Sequence, residues 1–292
     1  MTSKPNKILL TTKSRRKKLS KHSSAKLFTR KKKKLVICVV IIALVAALLT
    51  TTVLLSSRHY PMIARYIDYI FYNPKLPESE IYGIDVSAYQ KDIQWDMVGI
   101  NYNILTRRIE RDKSSGHKKV EFAIVKATEG ATITDKKLEI NQKAIRQAGI
   151  KYGAYHFFSL TSNASDQANN FLKHSGLRKG DIAPILDIEN IGKLSVEELQ
   201  TMVLEWLRIV EKHYKCKPLI YTSASFRNKY LNTKDFEPYN FWIGHYAVDE
   251  PAVSCDFWQF TDKGYVDGIS EYVDIDVFRR ERKDFNKFIL NY

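Results

Sequence analysis

The chain has 292 residues, enough for one large domain or two small ones, and its hydrophobic and aromatic contents of 44% and 12% suit a protein with a sizeable core. The formal net charge of +15 would suit a nucleic-acid-binding protein, but residues 1–34 hold 14 of the 47 Lys and Arg residues and no acidic residue. The remaining 33 basic residues balance 32 acidic ones, so the rest of the chain lacks the net positive charge of a nucleic-acid-binding domain. A nucleic-acid partner is therefore excluded.

Residues 35–55, LVICVVIIALVAALLTTTVLL, form an uncharged apolar segment directly after the basic tail. Its length is close to the roughly 20 residues that cross a bilayer as a helix. A cleaved signal peptide would have a shorter apolar region and a small-residue cleavage site. The sequence therefore predicts an uncleaved transmembrane signal anchor. Because basic residues stay on the cytoplasmic side, residues 1–34 are predicted to be cytoplasmic and attracted to membrane lipid, with the C-terminal part on the periplasm or cell-wall side.

Residues 56–79 are predicted to form a juxtamembrane helix followed by a linker that is broken by Pro74 and Pro77. Two positions for the helix stay open, because its apolar face could lie on the membrane surface or pack on the globular domain. The apolar and aromatic residues of that face recur every three or four positions: Tyr60, Ile63, Ile67, Ile70 and Phe71.

From residue 80 onward, strand-like and helix-like segments alternate. Helices are indicated after Thr134 as a cap, over SDQANNFLKHSG, and after the capping box of Ser195 and Glu198. Because strands separated by helices favour parallel pairing, we predict an α/β fold, a compact irregular TIM-like (β/α) barrel, over residues 80–292. Eight short segments rich in apolar residues are its predicted strands: IYGIDVS, EFAIVKAT, YGAYHFF, APILDIE, PLIYTS, NFWIGHY, FWQFT and YVDIDVF.

Two further features of this domain lead to expectations. The stretch between Gly99 and Val120 is polar and charged, so we expect an exposed insertion before the second strand. Cys216 and Cys255 could pair in an oxidising compartment or remain small buried residues, and their spacing does not decide between these alternatives.

Acidic residues collect at the ends of the predicted strands, which form the working face of such a barrel. Asp187 and Glu189 share a face because they lie two positions apart on a strand. Like charges raise one carboxyl pKa, and an acid that stays protonated near neutral pH can protonate the leaving oxygen of a glycosidic bond. The other strand-end residues are Asp85, Lys126, Glu129, His156, Tyr221, His245, Tyr246, Gln259, Asp274 and Asp276.

Structural interpretations of the same residues stay open. Glu129 could pair with Lys126, and His156 and His245 could be ordinary core residues. Asp85 could cap a turn. Compact metal-ligand spacing, a glycine-rich phosphate loop and a G-x-S-x-G motif are absent from the sequence, so we predict no metal and no cofactor. The aromatic residues that could belong either to the core or to a ligand platform are Tyr155, Phe157, Trp242 and Trp258.

The motifs, taken in order, resemble the glycoside hydrolase family 25 lysozymes, which are N-acetylmuramidases. YGIDVSAYQKDIQWDMV is similar to the first strand and loop of that family, and FAIVKATEGATITD contains its K-x-T-E-G signature followed by an acid, Asp135. The resemblance covers residues 81 to about 280. The motifs that continue it are GAYHFF, DQANNFL, APILDIEN, FWIGHY, FWQFT and VDIDVF.

The resemblance implies hydrolysis of the β-1,4 bond between N-acetylmuramic acid and N-acetylglucosamine in peptidoglycan. It implies that Glu189 is the general acid and that Asp187 stabilises the oxocarbenium-like transition state or orients the acetamido group of the substrate. Asp85 and Asp274 are the supporting acids. Whether the reaction uses the substrate's acetamide or an enzyme carboxylate stays open. The expected substrate-binding residues are Tyr155, Tyr221, Tyr246, Trp258, Gln259, Lys126 and Glu129.

The chain departs from the family pattern in two places. Asp276 stands where the family more often has Asn, which we expect to add an acid to the rim of the site and to alter its pH dependence. The charged insertion after Gly99 is longer than the family requires. Two other functions are considered, namely an inactive peptidoglycan-binding tether and a glycosidase acting on chitin-like polymers. The four acids disfavour the first of these, and the K-x-T-E-G signature disfavours the second.

Overall fold

The computed structural model describes residues 36–37, 39–50, 72–111 and 115–291. The chain separates into two compact units, Met1–Asp68 and Tyr69–Tyr292. The described residues of the first unit are helical and exposed. Over the ranges given above, no helix combines the length and the apolar character needed to cross a bilayer. The basic tail, the rest of the predicted span and the predicted juxtamembrane helix lie outside the described residues.

The second unit is built on a closed, barrel-like sheet of eight strands, and all eight predicted strands are confirmed. Two further strands, β2 and β4, pair with β3 outside the closed ring. The strands are β1 (Tyr82–Val86), β2 (Gly99–Tyr102), β3 (Gly116–Glu129), β4 (Ile133–Thr134), β5 (Lys151–Phe157), β6 (Ile185–Asp187), β7 (Leu219–Ser223), β8 (Phe241–Gly244), β9 (Phe257–Gly264) and β10 (Val273–Phe278).

The direction of the last strand differs from the expected parallel pairing. The pairs from β1 through β3, β5, β6, β7 and β8 to β9 are parallel, whereas β10 is antiparallel to both β9 and β1. A short hairpin between β9 and β10 replaces the crossover helix that a parallel connection would need. As a result the start of β10 lies at the barrel mouth, and Asp274 is directly opposite Asp85.

Five α-helices follow the strands along the described part of the second unit. The capping box at Ser195 is confirmed, because the Ser195 hydroxyl accepts from the Glu198 N–H at 3.1 Å and the Glu198 carboxylate accepts from the Ser195 N–H at 2.7 Å. The prediction of Thr134 as a cap is wrong, because Thr134 pairs with Thr128 across β3 and β4. The helices are α1 (Leu138–Gln147), α2 (Ala164–His174), α3 (Val196–Tyr214), α4 (Ala224–Tyr230) and α5 (Arg282–Phe285).

A cluster of aromatic side chains fills the barrel interior below the mouth. The Phe122 and Phe257 rings meet edge to face with centroids 5.6 Å apart, and the rings of Phe278 and Phe285 are 5.1 Å apart. Phe285 and Phe288 come from the C-terminal segment, which places both rings in this cluster. Because apolar rings occupy this level, polar groups of the interior are confined to the opposite end of the barrel.

The stretch after Gly99 matches the expected exposed insertion only in part, because Ile104, Leu105 and Thr106 are exposed whereas its first residues pack on the core. It forms β2, antiparallel to the start of β3, and Ile100 and Ile109 are fully or almost fully buried. Both belong to the same core cluster as the outward-facing residues of β1 and β10, which are themselves apolar and require cover. The insertion thus supplies apolar cover that crossover helices provide elsewhere in the barrel.

The second unit contains two cysteines, and the structure describes both of them. Cys216 and Cys255 are unpaired, and each is partly buried against the core. The pairing that the spacing left open is therefore not formed, and the barrel is held by packing and hydrogen bonding.

Replacing Ile100 with Ala tests the structural role of the insertion. We expect the free energy of unfolding to fall by about 2–5 kcal/mol, because a fully buried side chain is replaced by a cavity. Ile104→Ala in the same segment is the matched control, since Ile104 is 56% exposed and its truncation should change stability by less than about 0.5 kcal/mol. Urea unfolding monitored by tryptophan fluorescence measures both, and equal effects would contradict the assigned role.

Candidate active site

The mouth of the barrel contains a polar cleft of about 240 Å³. It is built from side chains at or just beyond the strand ends, and nine of the eleven predicted site residues line it. The alternation along each strand explains this, because residues two apart face the same side. The residues that line the cleft are Asp85, Ser87, Lys126, Tyr155, Phe157, Asp187, Glu189, Tyr221, Trp242, Tyr246, Gln259 and Asp274.

Two predicted substrate-binding residues do not line the cleft. Trp258 is adjacent to Gln259 on β9, so the two side chains point to opposite faces, and Trp258 packs in the outer core while its indole N–H donates to the His245 carbonyl at 2.8 Å. Glu129 forms an ion pair with Lys126, with 2.5 Å between Oε2 and Nζ. For Glu129, the geometry matches the pairing alternative.

His156 is a buried core residue and does not face the cleft. Its Nδ1 lies 2.7 Å from the Thr128 hydroxyl and its Nε2 lies 3.1 Å from the Gln167 side-chain oxygen. Its ring stacks on Trp206 with centroids 5.6 Å apart. Burial lowers the pKa of His156 to about 4, so the ring is neutral near pH 7. The core alternative is confirmed, and His156 helps to fix β5 against α2 and α3.

Asp187 and Glu189 form an interacting carboxyl pair at the end of β6. Asp187 is buried, whereas Glu189 lies two residues beyond the strand and is exposed. Desolvation raises the pKa of both groups, and the charge of Glu189 raises that of Asp187 further, while Lys126 opposes both shifts. Because the charge of Glu189 acts on buried Asp187, the pair retains a proton to higher pH than two isolated acids would.

The Asp187 carboxyl retains an unused acceptor. Its Oδ1 is buried and has no hydrogen-bond partner among the described residues. A buried acceptor without a donor costs free energy. An N–H or O–H group of a molecule bound in the cleft would satisfy it.

Asp85 is held by a chain of hydrogen bonds that begins at two tyrosines. The hydroxyls of Tyr221 and Tyr246 donate to Gln259 Oε1 at 2.6 and 2.5 Å, and Gln259 Nε2 donates to Asp85 Oδ2 at 2.6 Å. Because the amide oxygen already accepts two hydroxyls, the amide nitrogen must point at Asp85. Gln259 therefore orients Asp85, and the rings of Tyr221 and Tyr246 remain as the cleft wall.

Asp276 lies below the rim, which corrects the expectation that it adds an acid there. Its side chain is completely buried, and the Trp242 indole N–H donates to its Oδ1 at 2.7 Å. Its Oδ2 is buried and has no donor among the described residues. Desolvation raises the pKa of Asp276, and the charge of Asp276 adds to the rise in the pKa of Asp85.

Burial controls the acidity of the whole cluster. It raises the pKa of Asp85, Asp274 and Asp276 well above the ordinary value of 3.8. The second cause is a neighbouring carboxylate in each of two cases: Asp276 acts on Asp85, and Asp85 acts on Asp274. Within the described ranges, no three His, Cys, Asp or Glu side chains converge in a way that could hold a metal ion. The raised pKa values of these acids thus follow mainly from their burial at the barrel mouth.

Three side chains of the cleft were not among the predicted site residues. They are Ser87, Phe157 and Trp242. Ser87 and Phe157 each follow a predicted site residue by two positions, so the alternation along β1 and β5 was the signal that could have found them. Trp242 also lines the cleft. The ring of Tyr221 packs on the Trp242 ring, with centroids 4.4 Å apart.

The sequence and the fold are both similar to those of known proteins. A family model described as glycosyl hydrolases family 25 matches residues 84–269. The chain is similar to YegX of Escherichia coli K12, with 36% identity over 237 residues, covering 78% of this chain and 82% of that protein. It is 31% identical over 217 residues to Lysozyme M1 of Streptomyces globisporus, covering 68% of each. Among solved structures, the bacterial lysozyme from Streptomyces coelicolor matches with a TM-score of 0.61 and 28% identity, covering 72% of this chain and 97% of that one.

Replacing Asp276 with Asn should flatten the pH dependence of stability. The pKa of Asp276 is raised in the fold, so its contribution to stability is complete below its ordinary pKa and is lost as pH rises through the folded value. An Asn amide can still accept from Trp242 and donate to Asp85 but cannot ionise. As pH rises above the ordinary carboxyl pKa of 3.8, the free energy of unfolding should therefore fall less steeply in the variant, by at most about 1.4 kcal/mol per pH unit.

Urea unfolding across that pH range measures the effect. Asp235→Asn is the control, because Asp235 is exposed and its replacement should leave the slope unchanged. Parallel stability curves for Asp276→Asn and the unsubstituted chain would contradict a protonated Asp276.

Proposed function

The chain belongs to family 25 of the glycosyl hydrolases and is a glycoside hydrolase of the muramidase type, and we propose that it hydrolyses the β-1,4 bond between N-acetylmuramic acid and N-acetylglucosamine in peptidoglycan. The observation that carries this proposal is the placement of two interacting carboxyl groups, Asp187 and Glu189, in one open cleft. Glycosidic cleavage needs an acid at the leaving oxygen and negative charge near the sugar ring that becomes cationic.

Glu189 is the general acid of the proposed reaction. Its side chain is the exposed member of the pair, so it can reach the oxygen between two sugars, which buried Asp187 cannot do as readily. Desolvation raises its pKa, which keeps a proton available at higher pH than an ordinary Glu would. As the proton leaves, Lys126 nearby favours the resulting carboxylate, since it lowers the pKa of both acids.

Asp187 is the charged partner in this mechanism. When Glu189 carries the proton, Asp187 presents negative charge to the oxocarbenium-like transition state. Its unpartnered Oδ1 supports a second contribution, in which it accepts the acetamido N–H and orients that group toward the anomeric carbon. Both contributions place Asp187 beside the sugar that is cleaved.

Asp85 and Asp274 support the pair from the opposite wall. They are direct neighbours across β1 and β10, and Gln259 fixes Asp85. Their raised pKa values reduce the number of full negative charges in the cleft. The repulsion between these acids, which are shielded from solvent, is reduced as a result. Tyr155 and Tyr221 provide ring surface for the sugars.

We also propose that residues 35–55 anchor the chain in the cytoplasmic membrane with the catalytic unit on the cell-wall side. The supporting observations are the uncharged segment and the basic residues before it, 30–34, which favour a cytoplasmic N-terminus. Such an anchor would hold the enzyme next to its polymeric substrate.

Replacing Glu189 with Gln should lower the rate of peptidoglycan hydrolysis by about 10²–10⁴-fold, because the amide keeps the shape of the side chain and cannot donate the proton. Muropeptide analysis by mass spectrometry identifies the bond that is cut, and release of reducing muramic acid ends gives the rate. The melting temperature should stay close to that of the unsubstituted chain, since Glu189 is exposed.

Glu237→Gln is the matched control, because Glu237 is an exposed glutamate outside the cleft and its variant should keep full activity. Full activity of Glu189→Gln would refute the assignment of the acid. Peptidoglycan binding without cleavage by the unsubstituted chain would favour the tether function instead.

The anchor predicts a specific topology in cells. The full-length chain should remain in the membrane fraction after an alkaline wash, and external protease should digest the catalytic unit in spheroplasts. A cytoplasmic protein examined in the same cells is the control for spheroplast integrity. Recovery of the chain in the soluble fraction would contradict the anchor.

A further inference from the structure

Two tyrosines at the rim of the barrel differ from all other aromatic residues that the structure describes. Tyr89 is 68% exposed and Tyr272 is 49% exposed, whereas the remaining described aromatic side chains are buried or partly buried. Both line one hollow of about 350 Å³ that shares Asp274 with the catalytic cleft. The two exposed rings therefore lie on a single surface that continues the cleft.

The two loops that carry these rings are tied together. Gln90 is almost fully buried, and its side-chain N–H donates to the Tyr272 carbonyl at 3.1 Å while its side-chain oxygen accepts from the Ser87 N–H at 2.9 Å. Lys91 and Glu271 add an ion pair of 2.5 Å across the same loops. The separation of the rings is thus set by the folded protein before any ligand binds.

The orientation of Tyr272 is also restrained. Its hydroxyl lies 2.8 Å from that of Tyr265, and the two ring centroids are 5.0 Å apart at an angle of 44°. The Arg111 guanidinium lies 4.8 Å from the centre of the Tyr265 ring. An exposed ring that is held in place loses little conformational entropy on binding.

We propose that Tyr89 and Tyr272 form an additional sugar-binding subsite, which takes a further sugar of the glycan strand on the Asp274 side of the catalytic cleft. This inference rests on the proposed function and identifies where the polymer continues beyond the cleaved bond. Asp274 belongs to both hollows, so adjoining sugars of one strand can contact it from either side.

The chemistry of the hollow suits a pyranose ring. A sugar has an apolar C–H face that packs on an aromatic ring and a rim of hydroxyls that need polar partners. The hollow supplies both kinds of surface, because its other lining residues are polar or charged: Gln90, Asp262, Lys263 and Asp274. Apolar faces combined with a few fixed polar groups are the usual composition of a binding site for a small ring.

The test compares purified full-length chains on peptide-free glycan strands of two lengths, a tetrasaccharide and an octasaccharide. The variants are Tyr89→Ala, Tyr272→Ala and the double replacement. The measured quantity is the ratio of kcat/KM for the long strand to kcat/KM for the short strand, and we expect it to fall by about three- to tenfold in each single variant. The change should lie mainly in KM, because the lost contact stabilises the bound substrate and the transition state equally.

Two further variants make the outcome specific. Tyr272→Phe keeps the ring and should retain at least half of the ratio, and Ile140→Ala, an exposed position on α1, should leave it unchanged. An unchanged ratio in the double replacement would overturn the subsite. An effect seen only with strands that carry stem peptides would also overturn it, since the rings would then contact peptide. If the unsubstituted chain cleaves neither strand, the proposed function fails, which differs from loss of the ratio alone.

Discussion

The burial of carboxyl groups at one end of the barrel is the constraint on which the site depends. Asp85, Asp187 and Asp276 are buried, Asp274 is partly buried, and among the residues lining the cleft the countercharge comes from Lys126. Four ionised carboxylates shielded from water in this way would carry a large desolvation free energy, which favours the retention of protons. The hydrogen bonds from Gln259 and Trp242 fix two of the acids, and the raised pKa values follow from the same packing. The pH dependence of folding stability and the acidity of the cleft carboxyl groups thus both follow from the burial of these acids.

The reversed direction of β10 brings this cluster together. A parallel last strand would place the residues at its start at the closed end of the barrel, among the phenylalanines. Because β10 runs antiparallel to β1, Asp274 instead pairs with Asp85 at the mouth, and Asp276 lies one layer deeper, beside Trp242. The two acids of VDIDVF therefore occupy different environments although they are only two residues apart.

Much of this arrangement could be predicted from the sequence, because it follows from alternation within short strands. That rule predicted that the Asp187 side chain would reach the mouth of the barrel and that the apolar residues before it on the strand would belong to the barrel wall. It could not predict the direction of β10, which depends on a hairpin, or the depth of Asp276, which depends on that direction. The aromatic character of Trp258 was compatible with a sugar contact or with the core, and its position next to Gln259 on β9 places it in the core, because adjacent strand residues face opposite sides. The role of Ile100 depends on which surfaces the helices leave uncovered, and that is a tertiary property.

The aromatic floor has a consequence for how a polymer can meet this protein. Rings from Phe122, Phe257 and Phe285 occlude the lower interior, so a strand cannot thread through the barrel as through a pore. Entry and exit share one opening, and a long glycan must rest sideways over the rim. A glycan strand bound in this way needs no free end inside the barrel. Under the proposed function, a bond within a glycan strand would then be open to cleavage far from either end of that strand.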